Sequence, residues 1–291
     1  MENKLIFLVS EKSNGMLAET FLKRECKVSS RMITRLKREK DGILRNGKLL
    51  RTVDTLQAGD KVVLNLPTDK NEIKPAQGEL DILFEDDCLL AVNKPSNMPV
   101  HPTKIHQEDT LANIVKYYSE KRGENYTFRA INRLDKDTSG IVIIAKNSYS
   151  ATNLSKTLDK TYYAVCSGII SQEGTVNAPI RVKEGHTIQR CVSPDGKPCV
   201  THYKPVKQGN NHTLLEIKLE TGRTHQIRCH LSSISHPLAG DDMYGGSLEF
   251  ISRQALHCGK IDFIHPLTNE KTEIVSEIPK EFYDILNNYK L

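Results

Sequence analysis

The stretch INRLDKDTSGIVIIAK, at residues 131–146, contains the strongest indication of how the chain folds. Its second half, residues 141–145, is a run of apolar and mainly β-branched side chains, which predicts a buried strand. Its first half is polar and carries two carboxylates, Asp135 and Asp137, in a loop that leads into that strand. The sequence therefore predicts a sheet with one well-buried strand and an acidic loop at its entrance.

The two aspartates of this loop have different local surroundings. Asp137 stands directly before residues 138–140, Thr-Ser-Gly, which are turn-formers whose side chains bond nearby backbone groups. We therefore expect Asp137 to build the turn. Asp135 has no such local role, and a carboxylate beside a buried strand needs partners. Arg133 could be one, because residues i and i+2 of an extended segment point to the same side.

Most of the chain after residue 80 alternates short apolar runs with turns. Helices are predicted at 110–121 and 150–160, a strand at 161–170, and a strand followed by a helix within 212–241. Many short strands with a few interspersed helices predict the α+β class, with a mixed, mainly antiparallel sheet and flanking helices. Regular βαβ repeats, a G-x-G-x-x-G motif and a P-loop are all missing from the sequence, which disfavours a dinucleotide-binding fold.

The N-terminal part of the chain is distinctly basic. The whole sequence carries a net charge of +5, but residues 23–51 hold eleven basic against three acidic residues, a local charge of +8. Such a segment indicates either a polyanionic partner or a solvated helix face. Ser29 or Ser30 is a predicted helix N-cap, and Asn46-Gly47 is a predicted hairpin turn. Three arginines are expected to share one face of this helix: Arg31, Arg35 and Arg38.

A polar stretch separates this basic part from the rest of the chain. Residues 66–79 contain two prolines and a glycine, a composition typical of a linker. We therefore predict a small α-helical and hairpin module at 1–70, a linker at 71–79 and a larger domain at 80–291.

The cysteines and the hydropathy pattern indicate the cellular compartment in which the protein works. Seven cysteines are present, none at C-x-x-C spacing, and no apolar signal segment precedes them. They are expected to be reduced thiols in the interior of a cytoplasmic protein. Because no apolar run approaches the ~20 residues that a membrane-spanning helix requires, we expect no association with a membrane.

The segment ETGRTHQIRCH, at 220–230, is unusually rich in polar groups for a stretch between apolar runs. A metal site formed by His225, His230 and His236 is one interpretation. It is disfavoured because the sequence has no H-E-x-x-H motif and no clustered carboxylate to complete the ligand set.

Six motifs taken in order resemble one family. NRLDKDTSG is similar to the catalytic loop of the RluA-type pseudouridine synthases, which isomerise uridine in ribosomal or transfer RNA, and NKPSNMPVHP resembles their lysine-proline motif. KTYYAV, TGRTHQIR, HPLAGDDMYGG and RQALHC resemble later elements of the same family. In front of them, the pattern SSR…ILRNGK…L.AGDKV resembles the S-four-like αL RNA-binding module over about residues 13–67.

The resemblance implies roles for three side chains. Asp135, in the R-L-D triplet, would act as a nucleophile on the target nucleotide or as a base in an elimination. Tyr162 would pack against the uracil and is a candidate for removing the proton at C5. Arg228 would pair with Asp135, orienting it and favouring its charged form. The resemblance implies no metal and no organic cofactor.

The resemblance also implies contacts with RNA. Arg133 would fill the space that a flipped uridine leaves in the RNA stack. The family usually has histidine where this chain has Asn132, a departure that could alter contacts near the flipped base. The expected partner is large-subunit rRNA, with tRNA as the alternative, and the expected state is a monomer. The complete set of predicted RNA-binding residues is Arg133, Asn132, Lys94, Arg223, His225, Arg31, Arg35 and Arg38.

Two other functions compete with this interpretation. One is an RNA-binding protein on the same fold without catalysis, against which the presence of Asp135, Tyr162 and Arg228 argues. The other is a glycosidase-like hydrolase using Asp135 and Asp137. Glycosidases need two carboxylates about 5–9 Å apart, and two aspartates on one loop are a poor indication of that geometry.

Overall fold

The computed structural model describes residues 4–67, 73–124 and 126–288. The α-helices in these ranges are α1 (Ala18–Arg24), α2 (Ser30–Leu36), α3 (Leu111–Lys121), α4 (Ser148–Thr157), α5 (Gln226–Ser233) and α6 (Lys280–Leu286). The strands are β1 (Lys4–Leu8), β2 (Ile43–Arg45), β3 (Lys48–Leu49), β4 (Lys61–Asn65), β5 (Ile82–Glu85), β6 (Leu89–Lys94), β7 (Ser139–Ala145), β8 (Asp159–Ser167), β9 (Gly174–Asn177), β10 (Ile180–Val182), β11 (Arg190–Val192), β12 (Val200–Gln208), β13 (His212–Leu219), β14 (Leu256–Ile264) and β15 (Lys271–Val275).

The larger region is built on a nine-stranded sheet. Its strand order is β5-β6-β7-β14-β8-β13-β12-β9, and β15 pairs with β14 outside this path. The pairing of β7 with β14 is parallel, and the other pairings in this sheet are antiparallel. The predicted α+β class with a mixed, mainly antiparallel sheet is therefore confirmed.

Strand β7 is the buried strand that the sequence predicts at 141–145. All seven of its residues are buried, between β6 on one side and β14 on the other. An apolar side chain withdrawn from water contributes about 1.5–3 kcal/mol, so this strand holds the loop before it firmly in place. The acidic loop thus enters the sheet at one of its most buried strands.

The predicted helices of this region are present. The segment 110–121 forms α3, whose N-terminus is closed by a capping box between Thr110 and Asn113. The segment 150–160 overlaps α4, and the segment that passes through Gly222 forms β13 and then α5.

The N-terminal residues form a separate four-stranded sheet in the order β1-β4-β2-β3, with α1 and α2 packed on an apolar cluster. Ser29 caps α2 by accepting a hydrogen bond from the backbone N–H of Met32 at 3.2 Å. The β2–β3 turn has Asn46 and Gly47 at positive φ, as predicted. Helix α2 ends at Leu36, so Arg38 lies in the turn that follows, which corrects the expected three-arginine helix face.

The two regions meet at Tyr149, near the start of α4. This side chain is 2% exposed and belongs to the apolar cluster of the N-terminal sheet. Its hydroxyl is 2.9 Å from the carbonyl oxygen of Cys26 and 3.1 Å from that of Pro266. The predicted boundary between residues 70 and 71 lies outside the described residues, so the domain limits stay a prediction.

All seven cysteines are free thiols, and every one except the half-buried Cys191 is buried. No helix among the described residues is long and apolar enough to cross a membrane.

Candidate active site

A cleft of about 750 Å³ opens at the loop that precedes β7. Its walls are that loop, the start of β8, the β10–β11 hairpin and the segment that leads into α5. The charged side chains that line it are mostly basic, which suits a polyanionic ligand. They are Arg133, Lys160, Arg181, Arg190, Lys197, Arg223 and Arg228, with Asp135, Asp195 and the titratable His225.

Asp135 lies in this cleft with a quarter of its side chain exposed. Its Oδ2 is 3.3 Å from Nη1 of Arg228 and 3.7 Å from Nε2 of His225. The fold therefore brings together Asp135 and Arg228, which are 93 residues apart in sequence. The carboxylate keeps an open side toward the cleft and a cationic partner behind it.

Arg228 is held chiefly by Asp241, a residue of the HPLAGDDMYGG motif whose role the sequence does not indicate. Nε and Nη2 of Arg228 donate to the two carboxylate oxygens of Asp241 at 2.6 and 2.7 Å, and the Asp241 side chain is fully buried. Burial acts to lower the pKa of Arg228, but Asp241 and Asp135 more than offset this and raise it. The guanidinium is thus a fixed positive charge, oriented by a bidentate pair.

His225 faces the same carboxylate rather than the surface. It is the N-cap of α5 and adopts φ 57°, a left-handed conformation that turns its ring into the cleft wall. Its Nδ1 is 3.0 Å from the hydroxyl oxygen of Tyr244. Burial lowers the pKa of His225, so the imidazole is neutral at neutral pH. His225 is therefore placed primarily beside Asp135, and a contact with RNA would be secondary.

Tyr162 lines the cleft from β8, with only 6% of its surface exposed. Burial raises the pKa of this phenol well above its ordinary value, and the neighbouring Cys258 and Asp135 add to the rise. The side chain therefore presents a protonated, largely apolar ring to the cleft. Tyr163 alternates with it and packs on a different apolar cluster, as expected for a strand.

Lys94 is placed differently from the expected RNA contact. Its side chain has no exposed surface, and Nζ donates to the carbonyl oxygens of Pro95, Met98 and Lys136 at 2.7, 2.9 and 3.0 Å. Burial lowers the pKa of Lys94 to about 7. Because its amino group is enclosed by backbone carbonyls, Lys94 does not reach RNA in this conformation. Its bond to the carbonyl oxygen of Lys136 instead anchors the Asp135 loop to the interior.

Asn132 also has a structural position. It is 4% exposed, its amide nitrogen donates to the carbonyl oxygen of Ile141 at 2.8 Å, and its amide oxygen accepts from the N–H of Ile143 at 2.9 Å. Both polar atoms of the side chain thus tie the loop to β7. The expected RNA contact of Asn132 is therefore corrected to an internal anchor.

The turn at Asp137 is closed by backbone groups. The N–H of Thr138 donates to the carbonyl oxygen of Asp135 at 3.1 Å, and Nη1 of Arg253 donates to the carbonyl oxygen of Asp137 at 3.3 Å. Among the described residues, the Asp137 carboxylate accepts no hydrogen bond, so the expected side-chain turn is not formed. Asp137 lies near the Lys94 ammonium and raises the pKa of that lysine, against the effect of burial.

The other predicted RNA-binding residues divide between two places. Arg133 and Arg223 are exposed and line the cleft. Arg31, Arg35 and Arg38 are exposed on the N-terminal region, outside the residues that line the cleft. The structure thus gives two separate basic surfaces.

The histidines of the alternative metal site do not converge. His225 faces Asp135, while His230 lies 2.8 Å from the Thr201 hydroxyl and His236 lies 2.8 Å from the carbonyl oxygen of Ser167. Each ring has its own hydrogen-bond partner, so these three residues do not form a ligand set.

The sequence of the chain is similar to proteins of known class. Residues 88–233 match the family model described as RNA pseudouridylate synthase. The chain is 36% identical to the RNA pseudouridine synthase YhcT of Bacillus subtilis over 98% of this chain and 97% of that one. It is also 36% identical to the ribosomal large subunit pseudouridine synthase D of Salmonella typhimurium, over 84% of this chain and 82% of that one.

A solved structure supports the fold alone. Human RNA pseudouridylate synthase domain containing 1 aligns with a TM-score of 0.59 and 24% identity, over 76% of this chain and 89% of that one. Its fold agrees with the mixed sheet described above.

The sequence similarity, which spans nearly the whole chain, sets aside both the hydrolase and the non-catalytic alternatives. The chain belongs to the RluA-type RNA pseudouridine synthases, isomerases that act on RNA.

Proposed function

We propose that Asp135 is the catalytic carboxylate and that it acts on a uridine flipped out of folded ribosomal RNA. The observation that carries this assignment is the position of Asp135, open to the cleft and held from behind by the buried Arg228. The other carboxylate that lines the cleft, Asp195, is 72% exposed and is bound by Arg181 and Ser193, without a buried cation behind it among the described residues.

The reaction rearranges bonds without adding or removing atoms. The bond between C1′ and N1 of uridine breaks, the uracil turns, a bond from C1′ to C5 forms, and the proton on C5 is replaced by one on N1. Asp135 can attack the nucleotide and later leave, or it can act as the base of an elimination, and its geometry suits both routes. Arg228 keeps the carboxylate aimed at the cleft in either case.

Tyr162 is suited to packing against the uracil. Its ring is buried at the cleft wall, and its raised pKa keeps the phenol protonated. A protonated phenol can accept the C5 proton only if it passes its own proton on, since a free tyrosinate is strongly disfavoured there. We therefore assign Tyr162 chiefly to holding the base. It would remove the C5 proton only while passing its own phenol proton to another group.

The basic lining of the cleft is suited to the RNA around the target. Arg133 is exposed beside Asp135 and can stack in the gap that the flipped uridine leaves. Arg223 lies on the opposite wall, where its backbone N–H donates to the Gln226 side chain at 3.0 Å, so the segment that carries it is anchored. Phosphate contacts by these side chains would position the RNA, and the pocket would select the base.

The preference for ribosomal RNA rests on the relatives named as ribosomal large subunit synthases. The N-terminal region, with exposed arginines on α2 and on the turn after it, is suited to binding a second stretch of the same RNA. The seven free cysteines agree with a reducing cytoplasm, and we propose that the protein works there as a monomer.

The target can be identified by mapping pseudouridine in cells with and without the gene, using carbodiimide modification and primer extension. We expect one or a few positions in large-subunit rRNA to lose their signal, and purified protein to restore them on rRNA transcripts. Loss confined to tRNA positions would move the target to tRNA. A map that is unchanged in both RNAs would contradict the proposed substrate.

A further inference from the structure

Tyr244 stands between the β10–β11 hairpin and the Asp135 site. It ends a short 3-10 helix, Asp242–Tyr244, and is 8% exposed. Its hydroxyl oxygen accepts the backbone N–H of Arg190 at 2.8 Å and lies 3.0 Å from Nδ1 of His225. The guanidinium of Arg228 sits over its ring, 5.0 Å from the ring centre. One side chain therefore contacts the hairpin and both residues that face Asp135.

The hairpin is attached to the body of the protein at this point. Strands β10 and β11 pair only with each other among the named strands of the described chain, as a two-stranded sheet apart from the nine-stranded one. Besides the bond from Arg190, the side-chain amide of Gln189 donates to the carbonyl oxygen of Met243 at 2.6 Å. The hairpin places Arg181 and Arg190 along the cleft. An RNA bound there would therefore act, through the hairpin, on the segment that holds Tyr244.

The direction of the hydrogen bonds follows from the chemistry of the phenol. Burial raises the pKa of Tyr244 to about 12, so its oxygen carries a proton that must be donated. The Arg190 N–H is itself a donor, and no third partner of this hydroxyl lies among the described residues, which leaves His225 Nδ1 as the acceptor.

This direction fixes the tautomer of His225. A neutral imidazole whose Nδ1 accepts a hydrogen bond must carry its own hydrogen on Nε2. That nitrogen is the one that faces Oδ2 of Asp135, at 3.7 Å. The chain of donors then runs from the Arg190 backbone through the Tyr244 hydroxyl and the His225 ring toward the catalytic carboxylate.

We propose that Tyr244 is a positioning residue through which the β10–β11 hairpin sets the orientation of His225 and Arg228 on Asp135. This inference rests on the proposed role of Asp135. When RNA engages the hairpin, the bond from Arg190 holds the phenol, the phenol holds the Nε2–H of His225 toward Asp135, and the tyrosine ring supports Arg228. Binding at the hairpin is thereby linked to the geometry of the reacting group.

The test replaces Tyr244 by Phe, which keeps the ring under Arg228 and removes only the hydroxyl. We expect kcat on a target RNA transcript to fall on the order of tenfold, as when one orienting hydrogen bond is removed, while KM changes little. The matched control is Tyr126→Phe, because the buried Tyr126 hydroxyl has no partner among the described residues. That control should keep kcat and KM.

A spectroscopic measurement tests the inference without relying on enzyme activity. Nitrogen-15 spectra of histidine-labelled protein, assigned with His225→Gln, should show His225 with an unprotonated Nδ1 and a protonated Nε2. In Tyr244→Phe this preference should disappear. A protonated Nδ1 in the native protein, a rise of KM with unchanged kcat, or full activity of Tyr244→Phe would overturn the proposal. Full activity of Asp135→Asn would instead refute the assignment of Asp135, and the spectra would still decide the link from Tyr244 to His225.

Discussion

The active-site cleft and the N-terminal region are both basic, but they hold their charges in opposite ways. In the cleft, Arg228 is buried between Asp241 and Asp135, and its direction is fixed by paired hydrogen bonds. On the N-terminal region, Arg31, Arg35 and Arg38 are exposed at the surface. A buried, paired cation controls geometry, whereas exposed cations act mainly through long-range attraction that salt screens. Chemistry and affinity should therefore be separable by mutation.

Apart from the loss of Asp135 itself, the largest effect is expected at Arg228. In Arg228→Lys the positive charge remains, but the fork that binds Asp241 and reaches Asp135 is removed, so kcat should fall about a hundredfold. RNA affinity should change little, because this side chain is only 8% exposed. Single-turnover kinetics together with filter binding would separate the two quantities. Weakened RNA binding with unchanged kcat would place Arg228 with the exposed cations instead.

Lys94 is a buried amino group of a second kind, since burial lowers its pKa to about 7 and it is bound by carbonyls rather than by carboxylates. Lys94→Met should leave three carbonyl oxygens without their donor and cost on the order of 3 kcal/mol in the free energy of unfolding. Urea denaturation measures this cost, and Lys121→Met at an exposed position of α3 is the matched control. Equal stability of the two variants would show that Lys94 does not hold the loop.

The pH dependence of stability offers a third comparison, at His257 on β14. Its Nδ1 is 2.9 Å from the Ser139 hydroxyl at the start of β7, and burial lowers the pKa of His257 to about 4. The unfolded chain binds this proton near pH 6.5, so His257 should contribute a fall of about 3 kcal/mol in the free energy of unfolding between about pH 6.5 and pH 4. Most of this fall should disappear in His257→Gln.

The control for that experiment is His186→Gln, because His186 is exposed on the loop between β10 and β11. Its pH profile of urea denaturation should match that of the native protein. A fall of stability in His257→Gln that is as steep as in the native protein would assign the acid sensitivity to other groups.

The smallest expected effect concerns the exposed arginines. Replacing Arg31, Arg35 and Arg38 together by Gln should weaken RNA binding and reduce the slope of log affinity against log salt by about 2–3, one for each phosphate that is no longer neutralised. At saturating RNA, kcat should stay as in the native protein. An unchanged salt slope would reject a role for this surface in RNA binding.

The two regions also differ in how far the sequence predicts them. Strand β7, helix α3 and the Asn46-Gly47 turn follow from local patterns of apolar residues and turn-formers, and all three are present. The spacing of the arginines places Arg38 on a helix that in fact ends at Leu36, because regular spacing alone does not indicate where a helix stops.

The site itself depends on contacts that local sequence does not reveal. Local patterns leave Asp135 without a structural role, and its pairing with Arg228 across 93 residues is implied only by the family resemblance. The burial of Lys94 and Asn132 and the bidentate bond of Asp241 do not follow from the sequence, since each is set by how distant segments pack. The signal that the sequence offers for such buried partners is a polar residue among apolar ones. Asp241, in the glycine-rich motif HPLAGDDMYGG, shows this signal.

The measurement that tests the central claim most directly compares Asp135→Asn with Asp137→Asn. Both changes remove one carboxylate from the same loop, and RNA labelled with tritium at uridine C5 releases the label when the carbon–carbon bond forms. Asp135→Asn should release no tritium above background while remaining folded and able to bind RNA. Asp137→Asn should retain release, with some loss of stability because the negative charge near Lys94 is removed. Release by Asp135→Asn at the native rate, or its loss only in Asp137→Asn, would contradict the assignment of Asp135.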